Sequence, residues 1–152
     1  MNKIKIFLAT PISGLKNHDY SAYRDVLLHL VERLKEKYEV YSELEHISDI
    51  KCYDSPEKSV IEDFRRINEA DIFLLHHPAR VQSSTLIELG YACAQEKEII
   101  IVGNKTDLPY LALGLPASPL NTIIIETLEL DADTIEKIFQ TIDFLILRRN
   151  SE

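Results

Sequence analysis

Glycine is scarce in this chain of 152 residues, with four at positions 14, 90, 103 and 114. A Walker phosphate loop needs glycine, four residues, then glycine and lysine, and a dinucleotide fingerprint needs glycines two and five apart. Neither can be built from these four. Cations are short as well: 17 Lys plus Arg stand against 25 Asp plus Glu, a net charge of -8. That balance argues against extended binding to a polynucleotide backbone, which runs on clustered positive charge. The two cysteines, Cys52 and Cys93, have no CxxC spacing and no Cys/His ligand set around them. A disulfide framework or structural zinc is therefore not expected, and reduced thiols are. Long apolar runs are missing too. Ile99 to Val102 and Ile123 to Ile125 fall far below the roughly 20 residues of a membrane helix. The opening MNKIKIFLA is basic and apolar but stops at Thr10-Pro11, too short for a signal-peptide core. Read as a strand, it predicts a cytoplasmic protein.

What is present is a composition of 45% hydrophobic and 28% charged residues, which predicts one globular domain spanning 1–152 rather than a disordered chain. Lys3 to Ala9 alternates and then turns continuously apolar, as in a strand buried on both faces. Tyr20, Tyr23, Leu27, Leu30 and Leu34 recur at helical spacing up to Lys35-Glu36-Lys37. Val40-Tyr41 suggests a short second strand, followed by an irregular polar stretch from Glu43 to Asp54. Ser55-Pro56 reads as a cap and first-turn proline, with Val60, Ile61, Phe64 and Ile67 as the buried stripe of a helix ending near Ala70.

Asp71 to His77 predicts a third strand, closed by Pro78, and a helix follows from about Ser84 to Gln95. Glu98 to Val102 predicts the fourth strand. After a loop marked by Pro109, Gly114, Pro116 and Pro119 come a fifth strand near Thr122 to Glu126 and a last helix, Asp133 to Arg148. Alternating strands and helices imply a parallel sheet with right-handed crossovers. The expected architecture is an α/β three-layer sandwich, flavodoxin-like or Rossmann-like, with five parallel strands in the order 2-1-3-4-5. Ligands in such sheets bind beyond the carboxyl ends of the strands where the winding reverses, here between strands one and three. Thr10 to Asp19 and His77 to Glu88 border that crevice.

Within it, Ser83-Ser84-Thr85-Leu86-Ile87-Glu88 joins a strand to a helix and offers hydroxyls, backbone amides and one acid. Such a helix start suits an anion or a ribose hydroxyl. Thr85 and Glu88 also have the spacing of a capping box, in which the acid merely satisfies a backbone amide. Gly90 tilts the balance towards a site, because glycine inside a helix costs about 1 kcal/mol relative to alanine and often marks a close approach. Asp63, beside Arg65 and Arg66, reads by spacing alone as a solvated charge. His76 and His77 project to opposite faces of a strand, so they do not form a joint metal site. Asn104-Lys105-Thr106-Asp107 is similar to a guanine-reading segment, but without a phosphate loop it reads as a turn.

ATPISG at 9–14, Asp63, Ala70-Asp71 and SSTLIELGYACAQEKEIIIV at 83–102 together resemble the nucleoside 2-deoxyribosyltransferase superfamily, which includes the 2'-deoxynucleoside 5'-phosphate N-hydrolases. The resemblance implies the same flavodoxin-like fold and cleavage of an N-glycosidic bond, by hydrolysis or by transfer to another base. It places the nucleophile at Glu88 and an assisting acid at Asp63. A carboxylate suits this chemistry because the anomeric carbon develops oxocarbenium character. Phe7, Thr10, Ser13, Gly14, Gln82, Ser83 and Ser84 fall where the sugar or phosphate would lie, with Arg80 as a source of charge.

Three departures stand out. Phe7 replaces a common tyrosine, Gln82 replaces an aspartate or serine, and Leu86 replaces a glycine and could crowd the sugar. The ligand is expected to be a nucleoside or nucleotide, with no metal or organic cofactor. Homo-oligomerisation is expected both from the family and from apolar surface at Tyr20, Tyr23 and the final helix. Two alternatives are a non-catalytic nucleotide-binding module and an NAD glycohydrolase-like activity.

Overall fold

The structure, a computed structural model, describes residues 2–12, 17–47 (side chains from 20 onward) and 54–151. Its sheet is built from β1 (Lys5–Ala9), β2 (Glu39–Ser42), β3 (Ile72–His77), β4 (Glu98–Gly103) and β5 (Thr122–Glu126). All neighbours are parallel and the order is 2-1-3-4-5, as the alternation of elements predicts. Every residue of β3 is buried, because strands in a parallel sheet are covered by helices on both faces.

The two-residue period of the strands divides the core in two. Ile6, Leu8, Leu74, Ile100 and Val102 point to one side, against Leu27, Leu30 and Leu34 of α1 (Asn17–Lys35) and Ile138 and Ile142 of α5 (Ala132–Arg149). Phe7, Phe73, Leu75, Ile99 and Ile101 point to the other. There they meet Ile67 of α2 (Pro56–Glu69), Leu89 and Ala92 of α3 (Thr85–Ala94) and Ala112 of α4 (Tyr110–Gly114). The last of these helices and two 3-10 turns occupy the stretch read from sequence as a loop. Asn104 caps the first turn by accepting from the Thr106 amide, in keeping with the turn expected there.

Tethers fix the amino-terminal edge of the sheet. Asp71 accepts from the Lys5 amide at 2.9 Å and pairs with Arg149, while Arg148 pairs with Glu98. At the carboxyl ends of the strands, β3 and β4 approach so closely that a Cβ on Gly103 would lie 2.4 Å from the His77 carbonyl oxygen. His76 accepts or donates at Nδ1 to the Tyr23 hydroxyl on one face, and His77 meets the Asp107 carbonyl through Nε2 on the other. Among the described residues no helix is long and apolar enough to cross a membrane.

Two expectations need correction. Tyr20 is buried and donates to the Ile47 carbonyl, so it offers no apolar surface to a second subunit, while Tyr23 is half-buried against the same core. The stripe of α2 is also rotated from the one predicted: Ile61 is 70% exposed whereas Asp63 is 7% exposed. At 100° per residue, Asp63 lies about 40° from Ile67 and Ile61 about 120° from it, so packing Ile67 against the sheet carries the aspartate inward.

Candidate functional site

Beyond the carboxyl ends of β1 and β3, where the winding reverses, lies a cavity of about 610 Å³. Its walls come from four segments: Thr10 and Ile12 after β1, Glu43 after β2, one face of α2, and Ser83 to Glu88 at the start of α3. Ile12, Val60, Phe64 and Ile87 supply an apolar lining, and Phe64 stacks on Tyr91 at 3.9 Å. Such volume and mixed lining match a small-molecule site.

Three carboxyls meet here. One oxygen from each of Glu43, Asp63 and Glu88 lies within 4.8 Å of the others. Asp63 is delivered by the inward phase of α2 and Glu88 by the first turn of α3, and both are 7% exposed. Glu43 opens a 3-10 turn, Glu43–Glu45, that follows β2 directly. Helix α1 holds that turn from behind, with Arg24 donating to the Leu44 carbonyl at 2.9 Å and Tyr20 to that of Ile47 at 2.6 Å.

The capping-box alternative for Glu88 does not match the geometry. Ser84, not Thr85, is the cap residue, and the Thr85 amide is already bonded to Ser83 Oγ at 3.2 Å. The amide that a capping glutamate would satisfy is therefore taken, and the Glu88 carboxyl faces Asp63 instead. Gly90 has open space around it, with nothing within 4 Å of an added Cβ, so it marks no close approach.

Crowding acids in a poorly hydrated place favours their neutral forms. Burial, then the charge of Glu43, pushes Glu88 up to about 8. Glu43 likewise rises to about 8, through burial, its hydrogen bond and charge contact with Asp63, and the charge of Asp54. Asp63 rises to about 6, chiefly by burial, with Glu43 hydrogen bonding against the rise and the charges of Glu88 and Glu62 adding to it. The three titrate as one unit, so the proton count belongs to the cluster rather than to any one member. Burial and the charges of Asp63 and Glu43 also raise the nearby Tyr41 hydroxyl well above its ordinary range. Among the described residues these carboxyls are the set that could ligate a hard cation such as magnesium or calcium.

Of the residues singled out by sequence, Thr10, Asp63, Ser83, Ser84 and Glu88 line the cavity. Ser13 and Gly14 lie outside the described residues. Phe7 does not reach the cavity: its ring is in the core, 5.4 Å from Tyr41 and 5.7 Å from Phe73. Gln82 is exposed, and it and Leu86 are absent from the walls. Arg80 is turned away and donates to the Thr106 carbonyl at 2.6 Å. Glu43 is the member that sequence reasoning missed. Its signal was topological, since the residue leaving the carboxyl end of β2 must emerge beside that of β1.

No family model matches the chain, and no curated protein does. Solved structures share its architecture, and these define a class first: parallel α/β three-layer proteins that cover nearly all of this chain. One is the CMP N-glycosidase BcmB of Clostridium botulinum, at 24% identity and a TM-score of 0.66 over 93% of this chain and 98% of that one. Another is BlsM in solution, at 23% identity and a TM-score of 0.68 over 88% of both chains. A third is a conserved protein of Enterococcus faecalis V583, at 16% identity and a TM-score of 0.56, covering 91% of this chain and 99% of that one. At these identities the likeness shows the fold.

Proposed function

We propose that this protein cleaves the N-glycosidic bond of a nucleoside or nucleoside 5'-monophosphate, with Glu88 as nucleophile and Asp63 as acid. The observation that carries the reading is Glu88 itself: a buried acid at a helix start, freed from any capping role, lining a cavity beside a second buried acid. A Glu88 oxygen bonds to the anomeric carbon as the carbon–nitrogen bond breaks. The departing base takes the electron pair, and the Asp63 proton goes to it. Water, or another base in a transfer reaction, then attacks the same carbon, frees Glu88 and returns a proton to Asp63.

These roles need Glu88 ionised and Asp63 protonated, although in the resting site Glu88 is raised further, to about 8, than Asp63, to about 6. Positive charge developing at the sugar lies against Glu88, and its attraction moves the proton towards Asp63. The short separation of the acids also fits a nucleophile, because an inverting water would need carboxyls roughly 6.5–9.5 Å apart. For the substrate, the apolar walls suit a base, and the Ser83 and Ser84 hydroxyls beside the positive start of α3 suit one phosphate despite the net negative charge. BcmB is named a CMP N-glycosidase, which makes CMP the first substrate to try.

The test is a panel of ribo- and deoxyribonucleosides, their 5'-monophosphates and NAD, read by chromatography for free base or nicotinamide. Base release that survives in Glu88→Gln at the wild-type rate rejects the mechanism. A nucleotide-dependent rise in melting temperature without any base release would mark a binding module instead.

A further inference from the structure

We propose that Glu43 is a positioning residue for Asp63: the two carboxyls share one proton, so that Asp63 enters the reaction protonated while Glu88 is ionised. The inference rests on the reading of Glu88 and Asp63 given above and adds a third group to it. Its first support is geometric. Glu43 lines the reaction cavity and also a second, outer hollow of about 650 Å³ bounded by Tyr41, His46, Lys58, Glu62 and Arg66. It thus stands between the buried acids and the outer hollow, with an oxygen within 4.8 Å of both acids.

A second, independent observation is an orphan atom. Asp63 Oδ1 is buried with no hydrogen-bond donor, a costly state unless a neighbour supplies a proton. A proton shared with Glu43 supplies it. Three ionised carboxyls at this spacing would repel strongly in so dry a place, and among the described residues no ion pair joins Glu43 to a cation. Arg66 is committed to Glu62 and to the face of Tyr41 at 4.9 Å, and Arg24 to the Leu44 carbonyl. The other ionisable groups facing Glu43 are Asp54 before α2, Lys58 on α2 and His46 after the 3-10 turn. The shared proton moves without net loss: Asp63 gives it to the base, and the proton released by the attacking water returns to the Asp63–Glu43 pair.

The experiment follows kcat against pH for wild type, Glu43→Gln and Glu43→Ala, on whichever substrate of the panel releases base. Removing the Glu43 charge relieves the repulsion that holds the site's proton, so the basic limb should move down by about one pH unit in both variants, with kcat falling about 10- to 100-fold. A small carboxylic acid such as formate should restore Glu43→Ala but not Glu43→Gln, whose side chain fills the space. An unmoved basic limb with kcat within twofold of wild type overturns the proposal while leaving Glu88 and Asp63 in place. A second measurement separates the two failures. Carboxyl-carbon NMR titration of the free protein should show the Asp63 midpoint displaced by Glu43→Gln. A displacement in a protein that releases no base rejects the reaction but upholds the shared proton, and an unchanged midpoint rejects the shared proton.

Discussion

Replacing Glu88 by glutamine should make the protein more stable, and increasingly so as pH rises. Glutamine keeps the shape of the side chain and removes its charge. The folded state holds the Glu88 proton up to about 8, against 4.5 for the free side chain. Below 4.5 both folded and unfolded chains are protonated and the group contributes nothing to the pH dependence. Between 4.5 and about 8 the folded chain keeps a proton that the unfolded chain has lost, so wild-type stability falls with rising pH. At about 1.4 kcal/mol per pH unit the whole rise converts to a ceiling of about 5 kcal/mol. Proton sharing with Asp63 and Glu43 reduces this to about 2–3 kcal/mol at pH 8, against under about 1 kcal/mol at pH 5. For a chain of this size the pH 8 figure corresponds to roughly 5–10 °C in melting temperature. Urea denaturation of wild type and Glu88→Gln at pH 5, 6, 7 and 8, at fixed ionic strength, measures the difference directly. A variant less stable than wild type at pH 8, or a difference flat across the range, would refute the claim that this acid is buried at the expense of the fold.

Other outcomes follow from the same geometry. Asp63→Asn should lower kcat for base release by about 100-fold or more, with a smaller loss on a substrate whose leaving group needs no proton; equal losses on both substrates would remove Asp63 from the acid role. Gly103→Ala should cost about 1–3 kcal/mol in thermal or urea melts, because its Cβ would strike the His77 carbonyl. Gly90→Ala, in open space on α3, should instead stabilise by about 0.5–1 kcal/mol. Arg80→Ala should leave KM for a monophosphate within twofold of wild type, since Arg80 is bound to the Thr106 carbonyl; a tenfold rise would show that it swings into the site.

The sheet was legible because burying parallel strands on both faces demands continuous apolar runs, and Ile72 to Leu75 and Ile99 to Val102 have no other reading in a chain with helices between them. The handedness of the crossovers then narrowed its order, for which 2-1-3-4-5 is a common five-stranded solution. The site was legible only where local pattern and position agree, as at Ser83 to Glu88. Spacing alone put Asp63 in solvent, because a charge on a helix is ordinarily assigned there, and only the resemblance put it in the site; Ile61 was misread because an apolar residue is ordinarily assigned to the core. The structure inverts both, and the inversion carries physical information. A helix that leaves an isoleucine 70% exposed while burying an aspartate gives up hydrophobic burial and takes on a desolvation penalty in the same turn. Packing of Ile67 and Phe64 fixes that phase, so the cost is structural in origin but falls on the cavity wall. Glu43 and Glu88 impose the same kind of cost from two other elements. Random misplacement would scatter such costs over the molecule. Here three elements of separate sequence origin direct theirs at a single point, the pattern expected where stability yields to function.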